Sequence, residues 1–398
     1  MIQGKHIAVS GIECICAAGL NLKDCVDSMF SNIRNVATPS GFSSNHKTVY
    51  PVFEIPGSSP FLQNPQIFKT GQLALEAAHG AVKKAGLDKK NLQQKRVGVC
   101  IGTTVGSSLN NEKFYQEYRS GKDPDMAPIK RFLRSNPADL IAREYNLSGP
   151  CQTIVNACSS GTDAIGIGAS WIQAGICDVV IAGGADELCR VTYNGFISLL
   201  IVDSSPCRPF DVSRAGLNLG EGAAIFVLES EKSLTERKIA PSAFICGYGS
   251  SSDAYHLTAP KPDGAGLKRA ITDALEESGV FASDIAFVNA HGTGTENNDR
   301  VESMVLDLML NGVPFHSTKG YTGHTLGASG AIEAAFTSAF LVAGKIPSSI
   351  GFSKKDPELH SSPQAENKQI DGNFAISESL AFGGNNSVLV IGRGSEPL

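Results

Sequence analysis

The sequence predicts an α/β protein in which buried, largely parallel strands alternate with helices. Short apolar runs alternate with segments of helical periodicity along most of the 398 residues. Hydrophobic residues make up 42% of the chain against 18% charged residues, and the 42 glycines follow no repeat. This composition is typical of a compact enzyme with many tight turns. The length predicts two halves of similar size or one large layered body.

The predicted strands are short apolar runs, and the predicted helices are longer segments that end at or near Gly or Asn. The strands are HIAVSGI, RVGVCIG, DVVIAGG, AIFVLE, IAFVNAHG and SVLVIG. The helices are TGQLALEAAHGAVKKAG, GTDAIGIGASWIQAG, AGLKRAITDALEESG, NDRVESMVLDLML and GAIEAAFTSAFLVAG.

Charged residues cluster between two strands at 231–241, and we place the boundary between the two halves there. The N-terminal half is then 1–235 and the C-terminal half 236–398. A weak internal similarity supports the division, because Ser160-Gly161 and Ser329-Gly330 each begin a helix of small residues after a strand and a turn.

Charge and hydropathy exclude several classes of protein. A net charge of -5 and a pI near 5.9 provide no basic field for nucleic acid or anionic lipid. The opening residues lack a charged segment followed by an apolar one, so they predict a strand and no export signal. The longest apolar run, 164–185, is interrupted by Gln173, Gly175 and Asp178, which favours a buried helix and strand over a membrane span. We expect a cytoplasmic protein.

Ten cysteines are scattered through the chain without paired CxxC spacing, so we expect small core residues and no metal site. Cys158 differs because in TIVNACSSGTDAIG a β-branched run stops at Asn156 and a helix begins close to the thiol. Free N–H groups at a helix N-terminus favour a thiolate and lower its pKa. The backbone N–H of Cys158 is available to an oxyanion. The alternative is a buried structural thiol.

A second motif is FVNAHGTGTENNDRVES, in which a strand delivers His291 into a loop of glycines and threonines. Thr293 and Thr295 offer hydroxyls to a polar, flexible substrate arm. Asp299 and Glu302 lie in the helix that follows. The alternative for His291 is a hydrogen-bonded structural histidine.

Two further motifs also follow strands. HSTKGYTGHTLGASGAIEAA carries Lys319 and His324, and SLAFGGNNSVLVIG carries a turn at Phe382-Gly383-Gly384. In α/β sheets, binding and catalysis gather beyond the carboxyl ends of the strands. We therefore expect one cysteine and two histidines to meet there.

The motifs together resemble the β-ketoacyl-acyl-carrier-protein synthases of the elongating type, in the thiolase-like superfamily, and the related polyketide and polyene ketosynthases. Matching blocks run in order from AGGADE, CRPFD, GLNLGEGAAIFVLE and GYGSSSDAYHLTAP to VNAHGTGTENND, STKGYTGHTLGASGAIEAA and FGGNN. The resemblance implies a thiolase-like fold of two similar halves stacked as five layers (αβαβα), and a dimer.

The same resemblance implies a decarboxylating Claisen condensation with malonyl-acyl-carrier protein. Cys158 resembles the nucleophile that holds the acyl chain, and His291 and His324 the pair that binds the malonyl thioester carbonyl. No separate cofactor is implied, because phosphopantetheine arrives on the carrier protein. Lys319 resembles the lysine that organises the site, with Glu302 beside it and Asp299 in a supporting role. Thr293 and Thr295 resemble the threonines that bind the phosphopantetheine arm. The N–H groups of Cys158 and Phe382 resemble those that form the oxyanion hole.

Departures from the family pattern bear on substrate choice. The usual SFGFGG turn is SLAFGG here, with Leu380 and Ala381, and Leu217 stands where many relatives have Phe. These substitutions alter acyl-chain entry, so fatty-acid, polyketide and polyene pathways all stay open. A homodimer and a heterodimer with a chain-length subunit stay open as well.

Two groups of residues carry further expectations. An acidic carrier protein needs positive charge near the site, and the candidates are Lys69, Lys130, Arg131 and Arg134. Some relatives hold a structural monovalent cation. The matching positions are Asn289, Glu333, Ser377 and Glu378, with Glu378 in place of the usual amide.

Four alternative functions fit these motifs less well. A biosynthetic thiolase needs a second cysteine in the C-terminal half, and no cysteine follows Cys246. A Cys-His-Asn synthase is disfavoured because His324 supplies a second histidine. A Cys-His hydrolase needs neither a second histidine nor Lys319. The alternative from another class is a non-catalytic chain-length-factor-like partner, but such subunits lose the nucleophile that Cys158 matches.

Overall fold

The computed structural model describes residues 6–56, 58–104 and 111–395. Ten of its strands form one mixed sheet, and a small two-stranded ribbon lies outside it. The strands are β1 Ile7–Cys16, β2 Val97–Gly102, β3 Cys151–Ile154, β4 Val179–Asp186, β5 Gly222–Glu229, β6 Ala243–Ser252, β7 Ile285–Asn289, β8 Phe315–His316, β9 Lys345–Ile346, β10 Lys368–Gln369, β11 Phe374–Ala381 and β12 Asn385–Arg393.

The helices connect these strands and cover both faces of the sheet. They are α1 Leu22–Phe30, α2 Lys69–Lys84, α3 Lys89–Gln93, α4 Glu112–Arg119, α5 Ala127–Arg134, α6 Pro137–Tyr145, α7 Ser160–Gln173, α8 Arg190–Ser198, α9 Glu231–Arg237, α10 Ala265–Ser278, α11 Glu296–Met309, α12 Lys319–Thr322 and α13 Ser329–Ala343. Every helix and strand predicted from the sequence is present.

The ten-stranded sheet consists of two half-sheets with the same topology. The order across the sheet is β3-β2-β4-β5-β1-β6-β12-β11-β7-β8. Counted outward from the β1–β6 junction, both halves therefore have the same strand order. Numbered along its own half of the chain, this order is first, fifth, fourth, second and third. Only three residue pairs join β1 to β6, whereas eight join β1 to β5. The narrow junction lets the two half-sheets face each other across a shared layer of helices.

Helices α7 and α13 form this shared layer. Both contact strands of the two half-sheets, and they also contact each other. Helices α2 and α6 cover the outer face of the first half-sheet, and α10 with α11 covers that of the second. The five-layer α/β fold expected from the sequence is confirmed. Ser160 and Ser329 each begin one of the two central helices.

The expectation of largely parallel strands was wrong. Five of the nine neighbouring strand pairs in the ten-stranded sheet are antiparallel. One cause is the turn from β11 to β12, where Gly383 and Gly384 have φ angles of 88° and 82°. Two successive positive φ angles reverse the chain tightly, which residues with a Cβ rarely allow. The resulting hairpin also positions Phe382 at the site.

One apolar helical stretch, Leu326–Ala343, has a mean hydropathy of 1.5 over 18 residues. It is 83% buried within the fold, where α13 packs between the two half-sheets. A helix that is hydrophobic on all sides is expected in such a position. The stretch is therefore a core helix.

Candidate active site

The four motifs singled out in the sequence meet at one cavity of about 310 Å³. Each motif follows a strand, namely β3, β7, β8 or β11. The predicted residues that line the cavity are Cys158, Leu217, His291, Thr293, Thr295, His324, Leu380 and Phe382. Lys319, Glu302 and Asp299 are buried behind this lining.

Cys158 lies in a tight connection between β3 and α7. The preceding residue, Ala157, has a φ of 49°, which is unfavourable for a residue with a Cβ. The Ser160 hydroxyl accepts a hydrogen bond from the Asn156 N–H at 2.8 Å and donates to the Ala157 carbonyl at 2.6 Å. These contacts hold the strained turn, which brings Cys158 to the cavity.

The C-terminal half also supports this turn. Asn385 donates a side-chain hydrogen bond of 2.6 Å to Asn156 Oδ1, and Asn156 donates one of 2.6 Å to Asp163. Tyr248 of β6 donates to the same Asp163 carboxylate at 2.8 Å. The position of Cys158 therefore depends on both halves of the molecule.

The prediction that the helix lowers the pKa of Cys158 was wrong. Burial raises the pKa of this thiol to about 11, and the Phe382 N–H and the Lys319 charge offset only part of the effect. The thiol precedes the first helical residue, Ser160, by two positions and is only 5% exposed. Desolvation of a thiolate outweighs the partial charge of a helix terminus in such a site. The resting group is therefore a neutral thiol.

The two histidines are neutral, and their tautomers follow from their hydrogen bonds. His324 Nδ1 accepts the Leu326 N–H at 3.1 Å, and His291 Nδ1 lies 3.0 Å from the Lys319 ammonium, which has only protons to donate. The remaining nitrogen of each ring, Nε2, therefore carries the proton. Burial lowers the pKa of both rings well below the usual value, and the Lys319 charge adds to this.

The rings of His291 and His324 lie 5.3 Å apart between centroids and are nearly perpendicular, at 88°. Both line the cavity, so two Nε2–H groups are available to one ligand. Neutral donors of this kind stabilise a developing negative charge on an oxygen.

Lys319 is 1% exposed and makes three contacts at the base of the site. Its ammonium group donates to His291 Nδ1 at 3.0 Å, to the His291 carbonyl at 2.5 Å, and to Glu333 in a buried ion pair. The acid that pairs with Lys319 is thus Glu333 rather than the expected Glu302. Burial raises the pKa of Glu333 to about 7, although Lys319 opposes the shift.

Glu302 instead fixes the backbone of the His291 loop. Its carboxylate accepts the His291 N–H at 2.5 Å and the Gly292 N–H at 2.8 Å. Asp299 links the same loop to another segment, because it accepts the Gly294 N–H at 3.2 Å and the Phe210 N–H at 2.6 Å. Both acids hold the histidine in place from behind the cavity.

The cavity wall also contains residues that no sequence motif identified. Phe196 of α8 stacks on Phe382 at 5.5 Å and meets the edge of His324 at 6.4 Å. Arg214 is 3% exposed and pairs with Asp356 at 2.6 Å. Phe196 lies on a helix without distinctive residues, so no sequence pattern pointed to it. Arg214 lies between the CRPFD and GLNLGEGAAIFVLE blocks, and that position in the sequence already pointed to the site.

The residues matched to a structural cation fit such an ion. Asn289 Oδ1, Glu333 Oε2, Ser377 Oγ and both Glu378 oxygens are buried, and none accepts a hydrogen bond within the described ranges. Such an oxygen set suits a hard cation. Burial, with the nearby Glu302 carboxylate, raises the pKa of Glu378 well above the usual value. A bound cation would neutralise this carboxylate on β11.

The four expected carrier-protein residues differ in their surroundings. The Lys69 ammonium group is paired with the buried Glu221, so its charge is already compensated within the chain. Arg131 lies 4.1 Å above the Phe68 ring and is partly covered. Lys130 and Arg134 are exposed on α5. Only the three residues of α5 remain candidates for an external partner.

Comparisons with known proteins identify the family of this chain. Residues 63–233 match the family model "Beta-ketoacyl synthase, N-terminal domain", and residues 242–353 match "Beta-ketoacyl synthase, C-terminal domain". The chain is 30% identical, over an alignment of 409 positions, to the 3-oxoacyl-[acyl-carrier-protein] synthase 2 of Staphylococcus aureus strain N315, with 98% of this chain and 99% of that protein covered.

Two solved structures are similar over nearly the whole chain. The ishigamide ketosynthase/chain length factor matches with a TM-score of 0.91 and 30% identity, covering 98% of this chain and 99% of that one. A type II polyketide ketosynthase, solved with its acyl-carrier protein and bound to the hexaketide, matches with a TM-score of 0.90 and 25% identity. That match covers 98% of this chain and 100% of the other.

Proposed function

This chain belongs to the β-ketoacyl synthase family, and we propose that it catalyses the decarboxylating condensation of malonyl-acyl-carrier protein with an acyl chain held on Cys158. The observation that carries the proposal is the convergence of one thiol and two neutral Nε2–H imidazoles on a single cavity. The product is a β-ketoacyl-acyl-carrier protein of fatty-acid, polyketide or polyene biosynthesis.

The first step is acyl transfer. Cys158 Sγ attacks the carrier-bound thioester, and the tetrahedral oxyanion is held by the backbone N–H groups of Cys158 and Phe382. The hydrogen bond from the Phe382 N–H toward the thiol, inferred from its effect on the pKa, supports this assignment. The carrier thiol leaves with the proton that Cys158 gives up. Protons therefore balance without a charged base in the site.

The second step is decarboxylation. The malonyl thioester carbonyl accepts hydrogen bonds from His291 and His324, so loss of carbon dioxide leaves an enolate oxygen between two N–H donors. The enolate carbon attacks the acyl thioester on Cys158 and the C–S bond breaks. The thiolate that departs takes a proton from solvent, because its first proton left with the carrier thiol. A raised pKa favours this return to the neutral thiol.

The assignment of Lys319 as an organising residue is supported by its contacts. Its ammonium group fixes the donor tautomer of His291, and the pair with Glu333 holds that group in place. Glu302 and Asp299 position the His291 loop. Thr293 and Thr295 share a 2.8 Å hydrogen bond at the cavity wall, where we propose that they contact the phosphopantetheine arm.

Leu217 and Leu380 lie where the acyl chain would enter, and both are buried in the cavity wall. The mouth has a strongly exposed apolar residue, Leu200, which is 90% exposed and also lines the cavity. An apolar group at a pocket mouth suits a protein partner. We propose that the carrier protein contacts this rim as well as α5.

A catalytic subunit is distinguished from a chain-length-factor-like partner by its chemistry. The purified chain is incubated with acyl- and malonyl-carrier protein, alone and with any co-purifying subunit, and carbon dioxide and β-ketoacyl products are measured. Condensation that is lost in Cys158→Ala supports the proposal. Absence of condensation with every primer in a panel, or condensation that survives in Cys158→Ala, contradicts it.

A further inference from the structure

A cluster of three buried thiols lies outside the cavity, between β1 and α1. Cys14 and Cys16 are two residues apart on β1, so they face the same side of the strand. Cys25 comes from α1, which packs on β1. The three sulfur atoms lie within 4.8 Å of one another, and Cys16 Sγ is 3.7 Å from Cys25 Sγ. We call Cys14, Cys16 and Cys25 the three-thiol cluster.

The spacing of the three sulfurs suits a shared metal ion. An ion about 2.3 Å from each of three sulfurs in one plane requires the sulfurs to be about 4 Å apart. Each observed separation needs to change by less than about 1 Å to meet this requirement. All three cysteines are free thiols with at most 1% exposure, so their rotamers are held by the surrounding core.

A tight turn follows Cys16 beside the cluster. Cys16 and Gly19 close this turn with backbone hydrogen bonds of 3.0 and 3.1 Å. Oriented backbone N–H groups stabilise negative charge on a bound anion or metal thiolate.

The cluster is distinct from the other cysteines of the chain. Within the described ranges, no other group of three His, Cys, Asp or Glu side chains reaches the same mutual spacing. The sequence did not predict it because the ligands come as C-x-C on a strand plus one helical cysteine, rather than as paired CxxC motifs. Sulfur ligands of this kind select soft metal ions over magnesium or calcium.

We propose that the three-thiol cluster binds one thiophilic d¹⁰ metal ion, Cu(I) or Zn(II), through three sulfur ligands. Each thiol that coordinates releases its proton to solvent. The Gly19 carbonyl oxygen lies 3.3 Å from Cys25 Sγ and indicates the side from which a fourth ligand would reach Zn(II). Leu20 is 42% exposed in the same turn, so the cluster lies close to the surface.

A bound ion would act on the junction of the two halves. β1 pairs with β5 in its own half and with β6 in the other. A metal that ties β1 to α1 therefore stiffens the strand that connects the two half-sheets. The effect is structural and does not depend on the proposed condensation chemistry.

Metal binding is tested on the full chain, purified with reductant and chelator and then exchanged into anaerobic buffer. Zn(II) and Cu(I) are added in separate arms, and bound metal per chain is measured by elemental mass spectrometry after gel filtration. The thiolate-to-metal charge-transfer absorbance and the Tm are recorded in parallel. Cys25→Ala is compared with Cys246→Ala, a matched control that removes an isolated buried thiol of the C-terminal half.

The proposal expects one equivalent of Zn(II) or Cu(I) in the wild type and in Cys246→Ala, with less than a tenth of an equivalent in Cys25→Ala. At a free metal concentration about 100 times Kd, Tm should rise by roughly 3 °C in the first two proteins. No uptake by the folded wild type in either arm overturns the proposal, even if Cys25→Ala fails to fold. Equal uptake by a folded Cys25→Ala also overturns it.

Discussion

The junctions that follow β3 and β8 occupy equivalent places in the two half-sheets but position their functional groups differently. Five residues, 155–159, separate β3 from α7, whereas twelve residues, 317–328, separate β8 from α13. The short junction holds Cys158 by a strained backbone at Ala157. The long junction has room for α12, so side-chain hydrogen bonds and an ion pair hold Lys319 and His324.

The two junctions show how one topology supports two kinds of chemistry. The tight turn alone is enough to position the nucleophile at the β3 junction. Burial then sets the pKa of its thiol and therefore its reactivity. A pair of imidazoles needs defined tautomers, so it depends on buried charges and N–H groups around it. The β8 junction should therefore be more sensitive to loss of a polar partner than the β3 junction.

Lys319→Met tests the β8 junction most severely. The substitution removes the donor to His291 Nδ1 and leaves Glu333 buried without its cation. We expect the malonyl decarboxylation rate to fall by roughly 1,000-fold or more. Stability should fall by about 3–5 kcal/mol, measured by denaturant unfolding.

Lys69→Met is the matched control for this variant, because it breaks the Lys69–Glu221 pair away from the cavity. It should lower stability with decarboxylation retained. Equal loss of decarboxylation in the two variants would show that the ion pairs act on the fold alone.

His324→Ala separates the two proposed steps. Removing one of the two Nε2–H donors should slow malonyl decarboxylation by roughly 100- to 1,000-fold. Acylation of Cys158 should change by less than about tenfold, because its oxyanion is held by backbone N–H groups. Single-turnover rates of both steps measure this, with His316→Phe as a control at a buried histidine outside the cavity. Selective loss of acylation would refute the division of roles.

The pH dependence of Cys158 alkylation distinguishes burial from helix effects at the β3 junction. A thiol with a pKa of about 11 is protonated at neutral pH. Its iodoacetamide reaction rate should then rise about tenfold per pH unit between pH 7 and 9, a 100-fold change. The rate is followed by mass spectrometry of the peptide that contains Cys158, because Cys151 is exposed and reacts separately. An alkylation rate that stops rising below pH 8 would show that the helix N-terminus does lower the pKa of Cys158.

The smallest expected effect is on carrier-protein binding. Reversing charge in Arg131→Glu and Arg134→Glu together should raise KM for carrier-bound substrates by about 3–10-fold. Rates with free pantetheine thioesters should stay the same, since neither residue lines the cavity. Lys232→Glu, on an exposed cation of α9, is the control. Unchanged KM in the double variant would remove α5 from the interface.

Much of this fold and site was predictable because strand-to-loop motifs carry short-range signals. Cys158, His291, Lys319, His324 and Phe382 each follow a strand, and strand ends meet at one edge. Contacts between residues that are distant in sequence were less predictable. Phe196 reaches the site from a helix without a distinctive motif. Glu333 lies within a recognised block, but only the folded structure shows that it, rather than Glu302, meets Lys319.

Sequence reasoning failed where two effects of similar size compete. A helix N-terminus stabilises a thiolate and burial destabilises it, and the sequence around Cys158 does not reveal its degree of burial. Lys69 is a similar case, because the sequence made it a candidate for carrier-protein contact but did not reveal its pair with the buried Glu221.

The time course of the Cys158 acyl thioester shows whether the thiol and the two imidazoles act in one reaction. The protein is incubated with acyl-carrier protein, and intact mass with peptide mapping follows the adduct before and after addition of malonyl-carrier protein. We predict one acyl group on Cys158 that disappears as β-ketoacyl-carrier protein forms. No adduct at Cys158, or an adduct that malonyl-carrier protein leaves unchanged, would contradict a thiol and two imidazoles acting in one cavity.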